Sequence, residues 1–148
     1  MGICNGFQIL CEAGLVPGTL LHNNNQKFIC DNVHLKIGTQ ASVVTSGIDK
    51  DAVLKIPIAH AEGRYYAHDE MLKDLQTNDQ ILFYYCDENG HVTEQSNPNG
   101  SLNNIAGVCN KGRNVFGMMP HPERAADPEL KNEDGRLLFD SILDLTPA

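Results

Sequence analysis

The chain carries Gly2-Ile3-Cys4-Asn5-Gly6 near its start, and this pentapeptide predicts more about the protein than any other segment. It has the Gly-x-Cys-x-Gly spacing of a nucleophile elbow, the sharp turn between a buried strand and a helix, with cysteine as the nucleophile. The flanking glycines let the backbone turn tightly, and the sulfur should lie at a helix N-terminus, where the dipole lowers the pKa of a thiol. Because only Met1 precedes the motif, the strand that delivers the nucleophile is expected to be missing, as in the C-terminal part of a larger enzyme domain. The alternative is a buried structural cysteine beside two incidental glycines.

A second motif, His121-Pro122-Glu123, lies far downstream and supplies the two other groups of a thiol acyl-transfer site. In such a site a histidine serves as the base and a carboxylate orients the histidine. Residues i and i+2 of an extended segment point the same way, so Glu123 is predicted to lie beside His121. Pro120 and Pro122 fix φ on both sides of His121 and should stiffen the segment. The alternatives are a polar surface loop and a metal site, but the sequence offers no obvious third metal ligand.

The composition predicts one globular domain over residues 1–148, with 41% hydrophobic and 20% charged residues. The net charge of −8 argues against nonspecific binding to nucleic acid or anionic membranes, and no apolar run approaches bilayer length. The cysteine count is odd and no Cys-x-x-Cys pair occurs, so neither a disulfide framework nor a zinc site is expected. A reduced, cytoplasmic setting is expected instead. The five cysteines are Cys4, Cys11, Cys30, Cys86 and Cys109.

Hydrophobic periodicity predicts one early helix, a series of short strands that form an antiparallel-rich sheet, and a closing helix. Helices are predicted over residues 7–13, 69–75 and 134–143, the second with Asp69 as its N-cap. Strands are predicted over residues 28–30, 33–37, 43–44, 53–56 and 81–86. Residues 105–108 and 115–118 are predicted to form a hairpin, and residues 90–101 a turn-rich loop.

Several segments together resemble the class I glutamine amidotransferases. The elbow, read on to Phe7-Gln8, and the segment Gly117-Met118-Met119-Pro120-His121-Pro122-Glu123-Arg124 carry this resemblance. Further blocks, in the same order along nearly the whole chain, resemble the glutaminase subunits of phosphoribosylformylglycinamidine synthases, which act in purine biosynthesis. These blocks are Glu12-Ala13-Gly14-Leu15-Val16-Pro17-Gly18, Ile56-Pro57-Ile58-Ala59-His60-Ala61-Glu62-Gly63-Arg64-Tyr65, Asn97-Pro98-Asn99-Gly100-Ser101 and Asn104-Ile105-Ala106-Gly107.

The resemblance implies an α/β fold of the flavodoxin-like, doubly wound type, with its N-terminal strands missing and an antiparallel-rich remainder. It implies that Cys4 attacks the amide carbon of glutamine, forming a thioester and releasing ammonia. His121 would be the base and later the acid, and Glu123 would orient it. Gln8 matches a position that helps to bind glutamine, although a solvent-facing helix residue remains the alternative. The backbone N–H of Asn5 would be one donor to the oxyanion.

The resemblance also implies the partners, a large synthetase subunit and a small bridging subunit. The ammonia would feed the ATP-dependent formation of formylglycinamidine ribonucleotide on the large subunit. No phosphate loop of the Walker type occurs in the chain, so no cofactor is expected here, and ATP and Mg are expected on the partner. Neither nucleic acid nor a membrane is an expected partner. For His60-Ala61-Glu62-Gly63-Arg64, a structural histidine at a strand end is favoured, near the glutamine pocket or the partner interface.

Two other functions remain open at this stage. A cysteine hydrolase of the α/β-hydrolase type has its acid before the histidine in chain order, whereas Glu123 follows His121 by two residues. A catalytically inactive fragment that only binds the synthetase partner is the other alternative. The missing strand, and a missing glycine-rich loop that supplies the second oxyanion donor in the family, favour this alternative.

Overall fold

The computed structural model describes residues 1–144, and these residues form three α-helices and eight strands. The helices are α1 (Asn5–Glu12), α2 (Asp69–Thr77) and α3 (Arg136–Asp144). The strands are β1 (Gly2–Ile3), β2 (Thr19–Leu21), β3 (Ile29–Ile37), β4 (Val53–His60), β5 (Arg64–Tyr66), β6 (Ile81–Cys86), β7 (Ile105–Cys109) and β8 (Phe116–Met118). Short 3-10 turns lie at Leu102–Asn104, Pro122–Ala125 and Pro128–Leu130.

Six of the strands form one mixed sheet in the order β1-β8-β7-β6-β3-β4. Only the pair of β1 and β8 is parallel, and the other neighbours are antiparallel. Strands β2 and β5 pair separately as a small antiparallel sheet. The predicted α/β class and the antiparallel-rich sheet are therefore confirmed, and so is the hairpin of β7 and β8. Two residues of the strand that was expected to be missing before Cys4 are present as β1.

The two edge strands of the large sheet approach each other at one end of the molecule. The backbone N–H of His121, three residues after β8, donates to the carbonyl oxygen of Pro57 in β4 at 2.8 Å. The sulfur of Cys4, directly after β1, lies 3.7 Å from the carbonyl oxygen of Ala59 in β4. The sheet is thus curled into a half-barrel, and the ends of β1, β8 and β4 surround one place.

Two apolar cores stabilise this sheet, and strands β6 and β7 contribute side chains to both. One core contains the inward positions of β3 and β4 together with Leu138 of α3. The other contains Phe7 and Cys11 of α1 and Leu75 of α2. Each core therefore contains side chains from the sheet and from at least one helix. The packing of Phe7 and Cys11 fixes α1, which begins directly after Cys4. The prediction that Cys11 is a core residue is confirmed.

The differences from the predicted elements have local causes. The strand predicted over residues 43–44 is wrong, because the N–H groups of Thr45 and Ser46 both donate to the carbonyl of Ser42 and form a turn that still buries Val44. The strands predicted over 28–30 and 33–37 are one strand, since the residues between them stay paired with β4. Strand β4 continues through Pro57, which is tolerated because β4 is an edge strand.

The start of α2 also differs from the prediction. Asp69 is the first helical residue rather than the N-cap, and the cap is His68, whose Nδ1 accepts from the N–H of Met71 at 3.3 Å. Sheet β2–β5 has no counterpart among the predicted elements. Its strands have three residues each, which is too short for a clear alternation of apolar and polar positions.

The close approach of β1 and α1 leads to a stability prediction. A Cβ atom on Gly2 would lie 2.6 Å from the carbonyl carbon and oxygen of Gly6 and from Cδ1 of Leu10. Gly2→Ala should therefore lower the free energy of unfolding, measured by urea denaturation, by about 1 to 3 kcal/mol. Gly6→Ala is the matched control, because a Cβ on Gly6 meets no atom within 4 Å. If the two variants lost stability equally, the tight packing of this turn would be refuted.

Candidate functional site

Cys4 lies at the turn between β1 and α1, in the backbone conformation of an elbow. Its φ is 50° and its ψ is −106°, a strained region for a residue with a side chain. The turn is held on both sides, because the N–H of Cys4 donates to the carbonyl of Met118 at 2.9 Å. The carbonyl of Cys4 accepts from the N–H groups of Phe7 and Gln8 at 3.0 and 3.1 Å. Neighbouring hydrogen bonds thus hold a strained residue at the sheet edge.

The parallel pairing of β1 and β8 brings Cys4 and His121 to the same edge. Gly2 pairs with Gly117 and Ile3 with Met118. Cys4 directly follows β1, and His121 follows the end of β8 by three residues. Because neighbouring parallel strands end at the same edge of a sheet, both residues emerge there together. The 116 residues that lie between them in sequence are spanned by this single pair of short strands.

His121 is paired with Glu123 and presents a free nitrogen on its other side. Nδ1 of His121 lies 2.6 Å from Oε1 of Glu123, and a carboxylate only accepts, so Nδ1 carries the hydrogen. In the neutral imidazole the lone pair is then on Nε2, which is buried and has no hydrogen-bond partner among the described residues. The contact forms at the start of the 3-10 turn Pro122–Ala125, not in the extended segment that was predicted. The imidazole is thus oriented as a base would need to be.

Burial raises the pKa of the Cys4 thiol, contrary to the lowering expected at a helix N-terminus. The N–H of Asn5 and the charge of Arg124 lower the pKa, and the charge of Glu123 raises it further. Desolvation is the largest of these effects, because the half-buried sulfur has lost part of its surrounding water. The thiol donates to the carbonyl of Ala59 at 3.7 Å, as a protonated sulfur does. A base is therefore required to make the thiolate at neutral pH.

The two other predicted site residues lie on the first turns of α1. Asn5 is its first residue, and its backbone N–H faces the sulfur of Cys4. Gln8 is half-buried and its side-chain nitrogen donates to the carbonyl of Glu62 at 2.8 Å. Gln8 therefore joins α1 to the segment after β4 through a hydrogen bond that is itself exposed to solvent. The structure brings all five predicted residues to one end of the sheet, with His60 close by.

His60 and Asn23 form a buried pair that the sequence did not reveal as a unit. His60 ends β4, as the strand-end prediction requires, and only 3% of it is exposed. Its Nδ1 lies 3.1 Å from Oδ1 of Asn23, which is fully buried. Burial, together with a smaller effect of the nearby His121, lowers the pKa of His60 to about 4. Asn23 sits in a run of three asparagines that is typical of a turn, so no sequence signal could have identified it.

Other classes of site find little support in residues 1–144. No group of three or more His, Cys, Asp or Glu side chains in this part of the chain could hold a metal ion. Within the same residues, no helix has the length and apolar character needed to cross a membrane. The five cysteines are all free thiols, and apart from Cys4 only Cys30 is exposed enough to react readily.

Comparison with known proteins shows the family of the chain. The family model described as CobB/CobQ-like glutamine amidotransferase domain matches residues 1–136. The chain is 56% identical over 143 residues to the phosphoribosylformylglycinamidine synthase subunit PurQ of Aquifex aeolicus, covering 97% of this chain and 63% of the relative. It is 52% identical over 144 residues to the subunit of the same name from Methanocaldococcus jannaschii, with the same coverage of 97% and 63%.

A solved structure is also similar. The structure of PurLQS from Thermotoga maritima matches with a TM-score of 0.81 and 42% sequence identity, over 97% of this chain and 60% of that chain. The chain therefore spans about three fifths of the length of the curated relatives it matches.

Proposed function

Because the chain belongs to the family of CobB/CobQ-like glutamine amidotransferase domains, we propose that it releases ammonia from glutamine through the thiol of Cys4. The observation that carries this proposal is the pairing of His121 with Glu123 at 2.6 Å. It leaves an unpartnered, buried Nε2 at the sheet edge where Cys4 emerges. The acid follows the base in chain order, which disfavours a hydrolase of the α/β-hydrolase type.

The reaction begins with transfer of the Cys4 proton to Nε2 of His121. This transfer is needed because burial raises the pKa of the thiol. The thiolate then attacks the amide carbon of glutamine, and the electron pair of the C=O bond moves to the oxygen. The N–H of Asn5, which faces the sulfur, would donate to this oxyanion.

In the second half of the reaction His121 passes on the two protons that it takes up, the first to the amide nitrogen and the second to the sulfur. His121 gives its proton to the amide nitrogen, the C–N bond breaks, and ammonia leaves a thioester on Cys4. Water attacks this thioester while Nε2 of His121 takes a proton from the water. Glutamate is then released and the proton returns to the sulfur. Glu123 holds the imidazole in one tautomer and stabilises its charged form throughout.

We further propose that the ammonia is used within a synthetase complex. The relatives are named as subunits of phosphoribosylformylglycinamidine synthase, and the similar solved structure is of PurLQS. A large synthetase subunit and a small bridging subunit are the partners that fit these names. ATP and Mg would bind to the large subunit, where the ammonia would be consumed in forming formylglycinamidine ribonucleotide. Gln8 would contribute to binding of glutamine through its position beside the segment after β4.

The test is an assay of ammonia release from glutamine, with the chain alone and with its synthetase partner subunits. The proposal predicts ammonia that depends on glutamine and equals the glutamate formed. Binding to the partner without ammonia release under either condition would instead support a catalytically inactive fragment.

A further inference from the structure

A buried acceptor atom beside the proposed active site has no function in the mechanism above. Nε2 of His60 is buried and has no hydrogen-bond partner among the described residues. Leaving a buried polar atom unpaired costs stability, so such an atom in a well-packed region needs an explanation. The surroundings of His60 supply one.

The tautomer of His60 is fixed by Asn23. The side-chain nitrogen of Asn23 donates to two carbonyls, those of His60 at 2.9 Å and Lys27 at 2.8 Å. Its oxygen therefore faces the other way, where it accepts from the N–H of Gly63 at 3.1 Å. The same oxygen lies 3.1 Å from Nδ1 of His60, so Nδ1 must carry a hydrogen and Nε2 must carry the lone pair.

The ring is also held in place and kept neutral. A Cβ atom on Gly63 would lie 2.2 Å from Cε1 of the imidazole, so the ring packs directly on the Gly63 backbone. Burial lowers the pKa of His60 to about 4, so Nε2 is an uncharged acceptor at physiological pH. A rigid, neutral acceptor favours a ligand that offers a neutral hydrogen-bond donor.

The position of His60 in the chain brings the residue close to the reacting groups. Its neighbour in β4, Ala59, accepts the hydrogen bond of the Cys4 thiol at 3.7 Å. His121 lies close enough for its charge to affect the pKa of His60. An amide bound for attack by Cys4, with its nitrogen toward the proton donor His121, has N–H groups on that side.

We propose that Nε2 of His60 accepts a hydrogen bond from the amide –NH2 of the substrate and from the ammonia that leaves, so that His60 determines the preference for a primary amide. This inference rests on the proposed function. An ester of the same acid has no N–H at this position and cannot use the acceptor. His60 therefore contributes to the hydrolysis of glutamine and not to that of the corresponding ester.

Two substitutions separate this role from a structural one. In His60→Asn the amide nitrogen replaces Nδ1, which keeps the donor to Asn23 and removes the acceptor at Nε2. In His60→Gln the longer side chain places an oxygen near the Nε2 position and gives up the donor to Asn23. If His60 had only a structural role, the Asn variant, which keeps the donor to Asn23, would behave as wild type. The Gln variant, which loses that donor, would be impaired equally on all substrates.

The experiment compares kcat/KM for glutamine with that for glutamate γ-methyl ester, in the wild type and in both variants, with the partner subunits present. The ratio is internal to each variant, so a lower folded fraction does not change it. His60→Asn should lower the amide-to-ester ratio by about tenfold, and His60→Gln should stay within about threefold of wild type. If the wild type is active and the amide-to-ester ratio is unchanged in His60→Asn, the inference about His60 is overturned, while the proposed function still stands. A wild type that releases no ammonia overturns the proposed function and this inference with it.

Discussion

Replacing Cys4 by serine should abolish ammonia release from glutamine, with turnover reduced by a factor on the order of ten thousand to a million. Serine keeps the shape of the side chain, but its hydroxyl is far less acidic than the thiol and His121 cannot ionise it as effectively. The strained backbone at this position, with φ at 50°, should be unaffected by the change. The measurement is the rate of ammonia formation at saturating glutamine.

The matched controls for this prediction are two other cysteines. Cys30 is exposed on β3, and Cys30→Ser should leave the rate unchanged. Cys11 is buried in the core beside α1, and Cys11→Ser should have a mild effect through stability. If alkylation of one of these cysteines, with Cys4 unmodified, removed the activity, Cys4 would not be the nucleophile.

The second large effect is expected at His121. His121→Ala removes the only group proposed to carry the proton. Turnover should fall about as far as in the Cys4 variant, because the losses from removing single residues of a catalytic unit are not additive, and one removal costs nearly as much as several. In Glu123→Gln the fold-loss of turnover should be about ten to a hundred times smaller than in His121→Ala. The reason is that the imidazole is still present and the amide oxygen can still accept from Nδ1. Both variants are compared at the same pH in the ammonia assay.

The order of these two losses is the informative result. The side chain of Glu123 is 45% exposed, whereas that of His121 is only 10% exposed. This difference suits a proton carrier that is buried at the site and an orienting group that lies nearer to the solvent. If Glu123→Gln were as damaging as His121→Ala, or more so, Glu123 would have to take part in proton transfer itself.

Much of the sheet could be predicted from the sequence because its central elements have strong local signals. Strand β6 is a continuous apolar run with the predicted bounds, and the polar turn Asn110-Lys111-Gly112 separates two apolar runs that form the hairpin. The elbow could be predicted because Gly2 meets a real steric need, although a Cβ on Gly6 would meet no atom within 4 Å. These features depend on residues close together in sequence.

What could not be predicted depends on contacts between distant segments. The curling of the sheet, which places Pro57 and Ala59 of β4 against His121 and Cys4, has no local signature. The pKa of Cys4 was wrongly predicted to be lowered because the helix terminus is visible in sequence and the burial of the sulfur is not. For the same reason, the pairing of Asn23 with His60 emerges only from the fold.

The proposal that Cys4 forms a thioester with the acyl group of glutamine is the central claim, and mapping that adduct tests it most directly. The chain, with the proposed partner subunits, is mixed with glutamine, quenched in acid and digested, and the peptides are identified by mass spectrometry. We predict a glutamyl group on the peptide that contains Cys4, formed with glutamine and not with glutamate. A glutamyl group on Cys11, Cys30, Cys86 or Cys109, with Cys4 unmodified, would contradict the account.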